Sequence, residues 1–512
     1  MGAKRVSHSD TGLDVAEAPQ PGAPQPAAPE PAAPQPAAQV AEARPPVPVP
    51  APRPPDTLVP MPLGLMLGVG LRAHEAGRAQ EAEAIASNLL RAVPQDGRVL
   101  HLAGIVAFRG KREPLGLQLL EQALARDPNN ALYLRNVSEM YRVLGRMTEA
   151  AEAIRRAIAL KPDDPVGYHN QAVILHESGQ VAAGLASSRR AAALKHDMPG
   201  AHFAIAEAQL LLGELAEGWE EYEWRFRMPG VPPLMPPAVR QGKPQWGGGA
   251  LASGRLMLIG DQGFGDVLQF SRYIPWAIGR GQPTFLATSK EMAPAIRRMF
   301  PDLVIETRWA DCMDFAAYVP LSGLPRLHGT RLDTIPPPVP LPLDPVRTVA
   351  WEARLAGSLP AGHKRVGIVW AGRPTHKNDR NRSIAFATFA AALSDIPGIA
   401  LVSLQKGDRA ADIAAYQGAA PLFDASPHIE DYEDTAAAIA ALDLVVAVDT
   451  SVAHLTGILG KPGLVLLPFT PDWRWLLGRM DTPWYPSLRL FRQQAHARWD
   501  EPLAAVTAAL AM

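Results

Sequence analysis

Cysteine is nearly absent from the 512 residues: Cys312 stands alone, which excludes an internal disulfide and fits a reducing compartment. Charge of one sign is not in excess either. The 50 Lys and Arg against 51 Asp and Glu leave a net charge of −1, a balance that gives no ground for a nucleic-acid or membrane-surface partner. No apolar run approaches the roughly 20 residues needed to span a bilayer. The amino-terminal MGAKRVSHSD has basic residues with no apolar stretch after them, so no secretory signal is expected. Histidines and acids never fall at zinc-ligand spacing such as H-E-x-x-H, so no metal site is expected. Also missing are a G-x-G-x-x-G dinucleotide loop, a G-x-x-x-x-G-K-[ST] phosphate loop and a G-x-S-x-G elbow. These absences leave a cytoplasmic, soluble protein of two or more domains as the expectation.

What is present changes along the chain. Residues 1–60 are dominated by Ala, Pro and Gln, with too few large apolar side chains to offset the entropy of ordering, and read as a disordered tether. A proline-motif docking site is the alternative for this stretch. From 61 to 228 the composition turns to Ala, Leu, Arg and Glu at helical spacing, with an internal period. Pro94, Pro128 and Pro162 are 34 residues apart, and His196 takes the next slot. Gly77, Gly145, Gly179 and Gly213 keep the same step, broken at Lys111 with Gly110 one place away. This is the tetratricopeptide pattern, predicting paired helices from repeats starting near 63, 97, 131, 165 and 199, the last incomplete. Such pairs stack into a solenoid with a concave surface suited to protein–protein interaction. Trp219, Tyr222, Trp224 and Phe226 close it, either as a binding patch or as the face that docks the solenoid on the next domain.

A Pro/Gly segment, 229–250, reads as a linker. Beyond it apolar strand-like runs alternate with Ala-rich helical stretches, the sign of an α/β fold with parallel sheets. Strands are expected at Leu256–Ile259, Thr284–Ala287, Val366–Val369, Ala400–Leu404, Leu444–Val448 and Leu464–Leu467. The run IPPPVPLPLDP ending at Pro345 continues neither element and divides two lobes, 251–345 and 346–512. Doubly wound sheets bind ligands beyond the carboxyl ends of their strands, so a cleft between the lobes is the expected site.

The first lobe opens with RLMLIGDQGFGDVLQFSRYIPW. Gly260, Gly263 and Gly265 follow the first strand and allow a tight turn with close backbone approach, and Asp266 is placed where a helix begins. The stretch reads either as a phosphate cradle or as a loop that aims Asp266 at a hydroxyl. In the second lobe, VWAGRPTHKNDRNRS packs Arg373, His376, Lys377, Arg380 and Arg382 together, a diphosphate-neutralising cluster or a solvated basic loop. Gln405 and Lys406 end a strand, where they could meet a base or ribose. The block VVAVDTSVAHLTGILGKP is more specific: Asp449 tips a buried strand, Thr450 or Ser451 caps the next helix, and His454 lies one turn in. A capping Thr and a core His are the structural alternative there.

Together GDQGFGDVLQFSRYIPWA, GIVWAGRPTHKNDRNRSI, SLQKGD, VAVDTSVAHLTGILGKP and DWRWLLGRMDTPWYPSLRLFRQ resemble bacterial tetratricopeptide proteins with a glycosyltransferase-like domain, one similar to the ADP-heptose:lipopolysaccharide heptosyltransferases. The resemblance runs from Leu63 to the end. It implies a GT-B architecture of two Rossmann-like lobes, with nucleotide sugar on the carboxyl-terminal lobe and acceptor on the amino-terminal one. It further implies Asp266 as catalytic base and Asp449, Thr450 and His454 as supports of the donor diphosphate. The first lobe is shorter than in that family and the basic loop differs, so the heptose donor is not carried over. The expectation is a metal-independent, inverting transfer from a nucleotide sugar, itself the substrate with no further cofactor, to a protein or glycan acceptor presented by the repeats. Asp266 would take the proton, with Arg373, Lys377, Arg380, Arg382, Gln405, Lys406, Asp449, Thr450, Ser451 and His454 on the donor. The other class of reading is a non-catalytic scaffold whose transferase-like region has lost turnover.

Overall fold

The computed structural model describes residues 61–376 and 378–511. The Ala/Pro-rich stretch 1–60 and Lys377 of the basic loop lie outside the described residues. The described chain forms two compact units, 61–126 and 127–511.

The first unit is four helices: α1 (Leu63–Glu75), α2 (Ala79–Ala92), α3 (Gly97–Arg109) and α4 (Glu113–Arg126). Small residues set how closely they approach, since a Cβ on Gly70 would stand 2.7 Å from Leu102 and one on Gly104 2.7 Å from Leu120. The turn from α1 to α2 uses Gly77 at φ 75°. The turn from α3 to α4 has no glycine at the matching slot, and Lys111 itself takes φ 59°, a conformation that costs a side-chain-bearing residue on the order of 1 kcal/mol. Neighbouring Gly110 stays at φ −78°, so the 34-residue backbone period survives the sequence break.

The second unit begins with its own helices, α5 (Ala131–Val143), α6 (Met147–Leu160), α7 (Pro165–Glu177), α8 (Val181–Leu194), α9 (Pro199–Leu212) and α10 (Leu215–Tyr222). Asn130 caps α5 and Asp164 caps α7, the latter ahead of a proline at the first helical position. The helices of each unit form a tetratricopeptide-like solenoid segment, that of the second unit ending near residue 220. Its last helix, α10, has 8 residues against 14 in α6 and α8.

Two all-parallel sheets follow. The first has order β3-β2-β1-β4, from β1 (Leu256–Ile259), β2 (Thr284–Ala287), β3 (Val304–Glu306) and β4 (Ala317–Pro320). The second has order β10-β9-β8-β5-β6-β7, from β5 (Lys364–Val369), β6 (Ile399–Ser403), β7 (Leu422–Asp424), β8 (Leu444–Val448), β9 (Gly463–Leu467) and β10 (Leu488–Arg492). In each, the chain winds outward from one strand and returns to its other side, so strand order reverses between β1 and β4 and between β5 and β8. In such sheets the reversal point at the carboxyl ends of the strands is the ordinary ligand position. One continuous apolar core runs from α8, α9 and α10 through both sheets, with Trp219, Phe270, Trp475 and Trp484 inside it. The stretch 229–250 is fastened to the first sheet: Met235, Val239 and Trp246 are buried, and Trp246 N–H donates to the Tyr318 carbonyl at 2.7 Å.

Candidate functional site

At the reversal point of the first sheet, β1 ends in Gly260, where a Cβ would come 2.9 Å from Thr288 Oγ1. Asp261 follows, 2 % exposed, its carboxylate accepting Ser322 N–H at 3.1 Å and the Ser322 hydroxyl from the turn after β4. Burial pushes the Asp261 carboxyl above the usual carboxylate range against the nearby Arg225. Gln262 then adopts φ 66°. The left-handed residue of this loop is therefore a glutamine, whereas the sequence assigned the turn to its glycines. Gly263 has an ordinary φ of −118° and is the cap of the helix Phe264–Phe270. Asp266 stands in the first turn of that helix, at the helix start where the sequence placed it. It is the third helical residue, reaching back to accept Gly263 N–H at 2.8 Å.

At the reversal point of the second sheet, β8 delivers Asp449, Thr450 and the helix Ser451–Ile458. Thr450 has the cap position, but its side chain makes no capping bond, and its Oγ1 is buried with no hydrogen-bond partner. Ser451 Oγ accepts the Tyr432 hydroxyl at 2.7 Å. Arg382 Nη1 donates to the Asp449 carbonyl at 3.0 Å, which sets the guanidinium beside this turn. His454 is buried, its Nδ1 3.1 Å from the Tyr485 hydroxyl and its ring stacked on Trp475 at 5.5 Å between centroids. Burial, with Arg474 nearby, lowers His454 to about 3, so the ring is neutral at physiological pH.

The two loops meet. Gly265 faces His454 so closely that a Cβ would stand 2.8 Å from its Cδ2. The joint is completed by Arg474, which the sequence reading did not single out. Its guanidinium donates to Asp266 Oδ1, to Asp472 Oδ1 at 2.7 Å and to Gln269 Oε1 at 2.6 Å. Burial disfavours the cation, but the Asp472 and Asp266 carboxylates outweigh it and hold Arg474 above its ordinary range. Burial raises Asp266 despite Arg474 and the Gly263 amide. It raises Asp449 too, with Asp472 adding to the effect and Arg382 opposing it. Asp472 goes the other way: burial would raise it, and Arg474 pulls it below the usual range. The available signal was the tripeptide Asp472-Trp473-Arg474, an acid and a base two apart in an aromatic run, but its partners lie more than 200 residues upstream.

Gln405, Lys406 and Arg380 are not brought to this joint, whereas Arg373 lies near its glycine loop. Gln405 is buried, accepting Trp370 N–H at 3.2 Å and Ala371 N–H at 3.0 Å while donating to the Ala371 carbonyl at 3.0 Å, so its amide splices β6 to the loop after β5. The Lys406 ammonium donates to the carbonyls of Ser426 at 2.9 Å and Ile429 at 2.8 Å. Arg380 is exposed and reaches the Val143 carbonyl at 3.5 Å, at the end of α5. Arg373 is exposed with its guanidinium 5.8 Å from the Phe264 ring centroid, close to the glycine loop.

Beside the glycine loop the free space is small. A pocket lined by Gly260, Gln262, Gly263, Phe264, Thr288 and Ser289 has about 10 Å³ of free volume, near the room one water needs. A larger recess of about 350 Å³, beside Arg255 and Gln282, lies at the amino ends of β1 and β2, away from the carboxylates.

Among known proteins, residues 114–165 match the tetratricopeptide repeat family. The chain is 29 % identical over 341 residues to Protein FlbA of Caulobacter vibrioides, an alignment covering 60 % of this chain and 54 % of that protein. The chain thus spans about half the length of this curated relative. TTC0263, a thermophilic TPR protein of Thermus thermophilus, is similar at 21 % identity and a TM-score of 0.30, over 32 % of this chain and 91 % of that one. Pseudomonas aeruginosa PilF is similar at 17 % identity and a TM-score of 0.30, over 33 % and 77 %.

Proposed function

We propose that this chain is a bacterial, cytoplasmic glycosyltransferase of the GT-B, heptosyltransferase-like kind, moving a sugar from a nucleotide sugar to a protein or glycan acceptor. The observation that carries this reading is the unpartnered Thr450 hydroxyl beside Arg382 at a helix amino terminus, joined to Asp266 through Gly265 and His454. A buried hydroxyl without a partner costs about 1–3 kcal/mol, and a diphosphate oxygen is a partner the site could accept. In the reaction, Asp266 takes the proton of an acceptor hydroxyl, whose oxygen attacks the anomeric carbon as the bond to the diphosphate oxygen breaks. The leaving diphosphate gathers charge opposite Arg382, the Thr450 and Ser451 hydroxyls and the free amides of the helix. Two bonds to Asp266 leave lone pairs for a third, because an ionised carboxylate offers about four acceptor positions. Its elevated basicity favours proton uptake. No metal enters this mechanism, and the solenoid presents the acceptor. Asp266→Asn tests the assignment: donor turnover is expected to fall about 10²–10⁴-fold with nucleoside diphosphate binding kept, and full activity would refute the base.

A second reading has its own observation. Both Asp266 oxygens are engaged, and the pocket at the glycine loop holds about 10 Å³. A scaffold that binds partners through its repeats and has lost turnover would be packed in this way. Calorimetric titration with UDP, GDP and ADP separates the two, since binding of one supports the transferase and binding of none supports the scaffold.

A further inference from the structure

The loop between β1 and the helix Phe264–Phe270 is held from outside its own sheet. Asp261 is bound by Ser322, and the Ser322 hydroxyl also accepts Arg225 Nη2 at 2.7 Å. Arg225 belongs to the turn that ends the solenoid, where its Nη1 donates to the Tyr222 carbonyl at 2.7 Å and its guanidinium lies 4.3 Å over the Tyr222 ring. Tyr222 is the last residue of α10, and its hydroxyl donates to Gln262 Oε1 at 3.3 Å. Two adjacent loop residues are therefore tied, one through Ser322 and one directly, to consecutive turns of the solenoid's end. Gln262 is the residue with φ 66°, a conformation a side-chain-bearing residue keeps only when surroundings impose it. With its Oε1 fixed by Tyr222, Gln262 Nε2 is buried and without a partner. The same residue of α10 packs against Trp473 at 6.1 Å between centroids, and Trp473 immediately precedes Arg474, the partner of Asp266.

We propose that Tyr222 is a positioning residue for the glycine loop, so that the end of the solenoid is a working part of the Asp266 site and not merely the arm that carries a partner. Its hydroxyl fixes the Gln262 side chain, Gln262 holds the left-handed turn, and that turn sets where Gly263 and Asp266 stand. The meaning of this for catalysis rests on the transferase reading, but the positioning itself can be measured without substrate.

The test is hydrogen exchange on the full chain, read in peptides spanning 260–270 and in those from α5 to α9. Tyr222→Phe removes one hydroxyl and keeps the ring in the core. Exchange over 261–266 is expected to quicken about fivefold, the effect of one ordinary hydrogen bond, with α5 to α9 unchanged and the melting point lowered by no more than about 2–4 °C. In a double-mutant cycle, Tyr222→Phe adds nothing once Gln262 is replaced by Leu, since both remove the same tie. Unchanged exchange in 261–266, or additive effects of Tyr222→Phe and Gln262→Leu, would overturn the proposal. So would equal quickening through α9, which marks general loosening. Nucleoside diphosphate titration of the unaltered chain reports on the transferase reading alone, so either idea can fail without the other.

Discussion

Replacing Arg474 with leucine should damage the protein in a way that depends on pH. The guanidinium is bonded to Asp266, Asp472 and Gln269, with its side chain 10 % exposed and that of Asp266 18 % exposed. Removing one member of a buried ion pair costs about 3–5 kcal/mol, because the other is left charged and uncompensated. Asp472 is a third exposed and recovers some hydration, which places the expected loss near the lower end, about 3 kcal/mol at neutral pH. The sign with pH follows from Asp266. Burial already raises its pKa, and Arg474 is the main group pulling it down, so the variant raises it further. A carboxyl whose folded pKa lies above its unfolded value destabilises the fold when ionised. That penalty is full above the folded pKa and vanishes below the unfolded one, near 4. The deficit of Arg474→Leu should therefore be largest at about pH 7.5 and shrink at about pH 5. Urea unfolding followed by tryptophan fluorescence measures it, as Trp219, Trp473 and Trp475 surround the site. Asp266→Asn in the same background should restore part of the loss. A deficit below about 1 kcal/mol, or one equal at both pH values, would refute the view that this pair is the electrostatic centre of the joint.

Thr450→Val removes the unpartnered hydroxyl at nearly constant volume, so thermal unfolding should show a gain of about 0.5–1 kcal/mol while any nucleoside diphosphate affinity falls about fivefold. A loss of stability would mean that the hydroxyl has a partner in the folded chain. Gly265→Ala drives a methyl group towards His454, which Trp475 and Tyr485 flank, and overpacking there should cost about 1–3 kcal/mol in urea. Gly263→Ala is the control, since its Cβ would meet only the Asp266 carboxylate at 3.2 Å and should cost less.

Elements carried by local pattern were legible in the sequence. The helices α1, α3, α5, α7 and α9 begin at residues 63, 97, 131, 165 and 199, the starts given by the 34-residue period, because each repeat carries the same small residues and turn. The buried central strands β1 and β2 coincide with their apolar runs, while β3, β4, β7 and β10 were missed. Three of those lie at sheet edges (Val304–Glu306, Ala317–Pro320 and Leu422–Asp424), and the first and last are only three residues long. The fourth, Leu488–Arg492, is an edge strand whose arginines interrupt its apolar run. Within the site, Asp266, Asp449, Thr450 and His454 were readable because each lies just beyond a strand the sequence announces. Gln405 and Lys406 occupy the same kind of position, yet their polar atoms are bonded to backbone groups that tertiary folding brings near.

The residues that hold the site's loops share one property: each acts from a distant segment, and of them only Tyr222 was named from the sequence. Arg474 reaches Asp266, Arg225 reaches Asp261 through Ser322, and Tyr222 reaches Gln262. The acids are announced by their strands, whereas the groups that hold them come from the solenoid's end and from the turn after β9. The charges at the centre of the joint are balanced by groups from separate segments: the end of the solenoid, the loop after β1 and the turn after β9. A buried carboxylate left without its distant partner would be a liability of several kcal/mol. In keeping with that coupling, Trp219 and Tyr222, within the aromatic run that closes the solenoid, are buried against Trp473 rather than displayed as a surface for partners. It also means that any partner captured by the repeats acts on a structure whose far end already touches Asp261, Gln262 and the neighbour of Arg474.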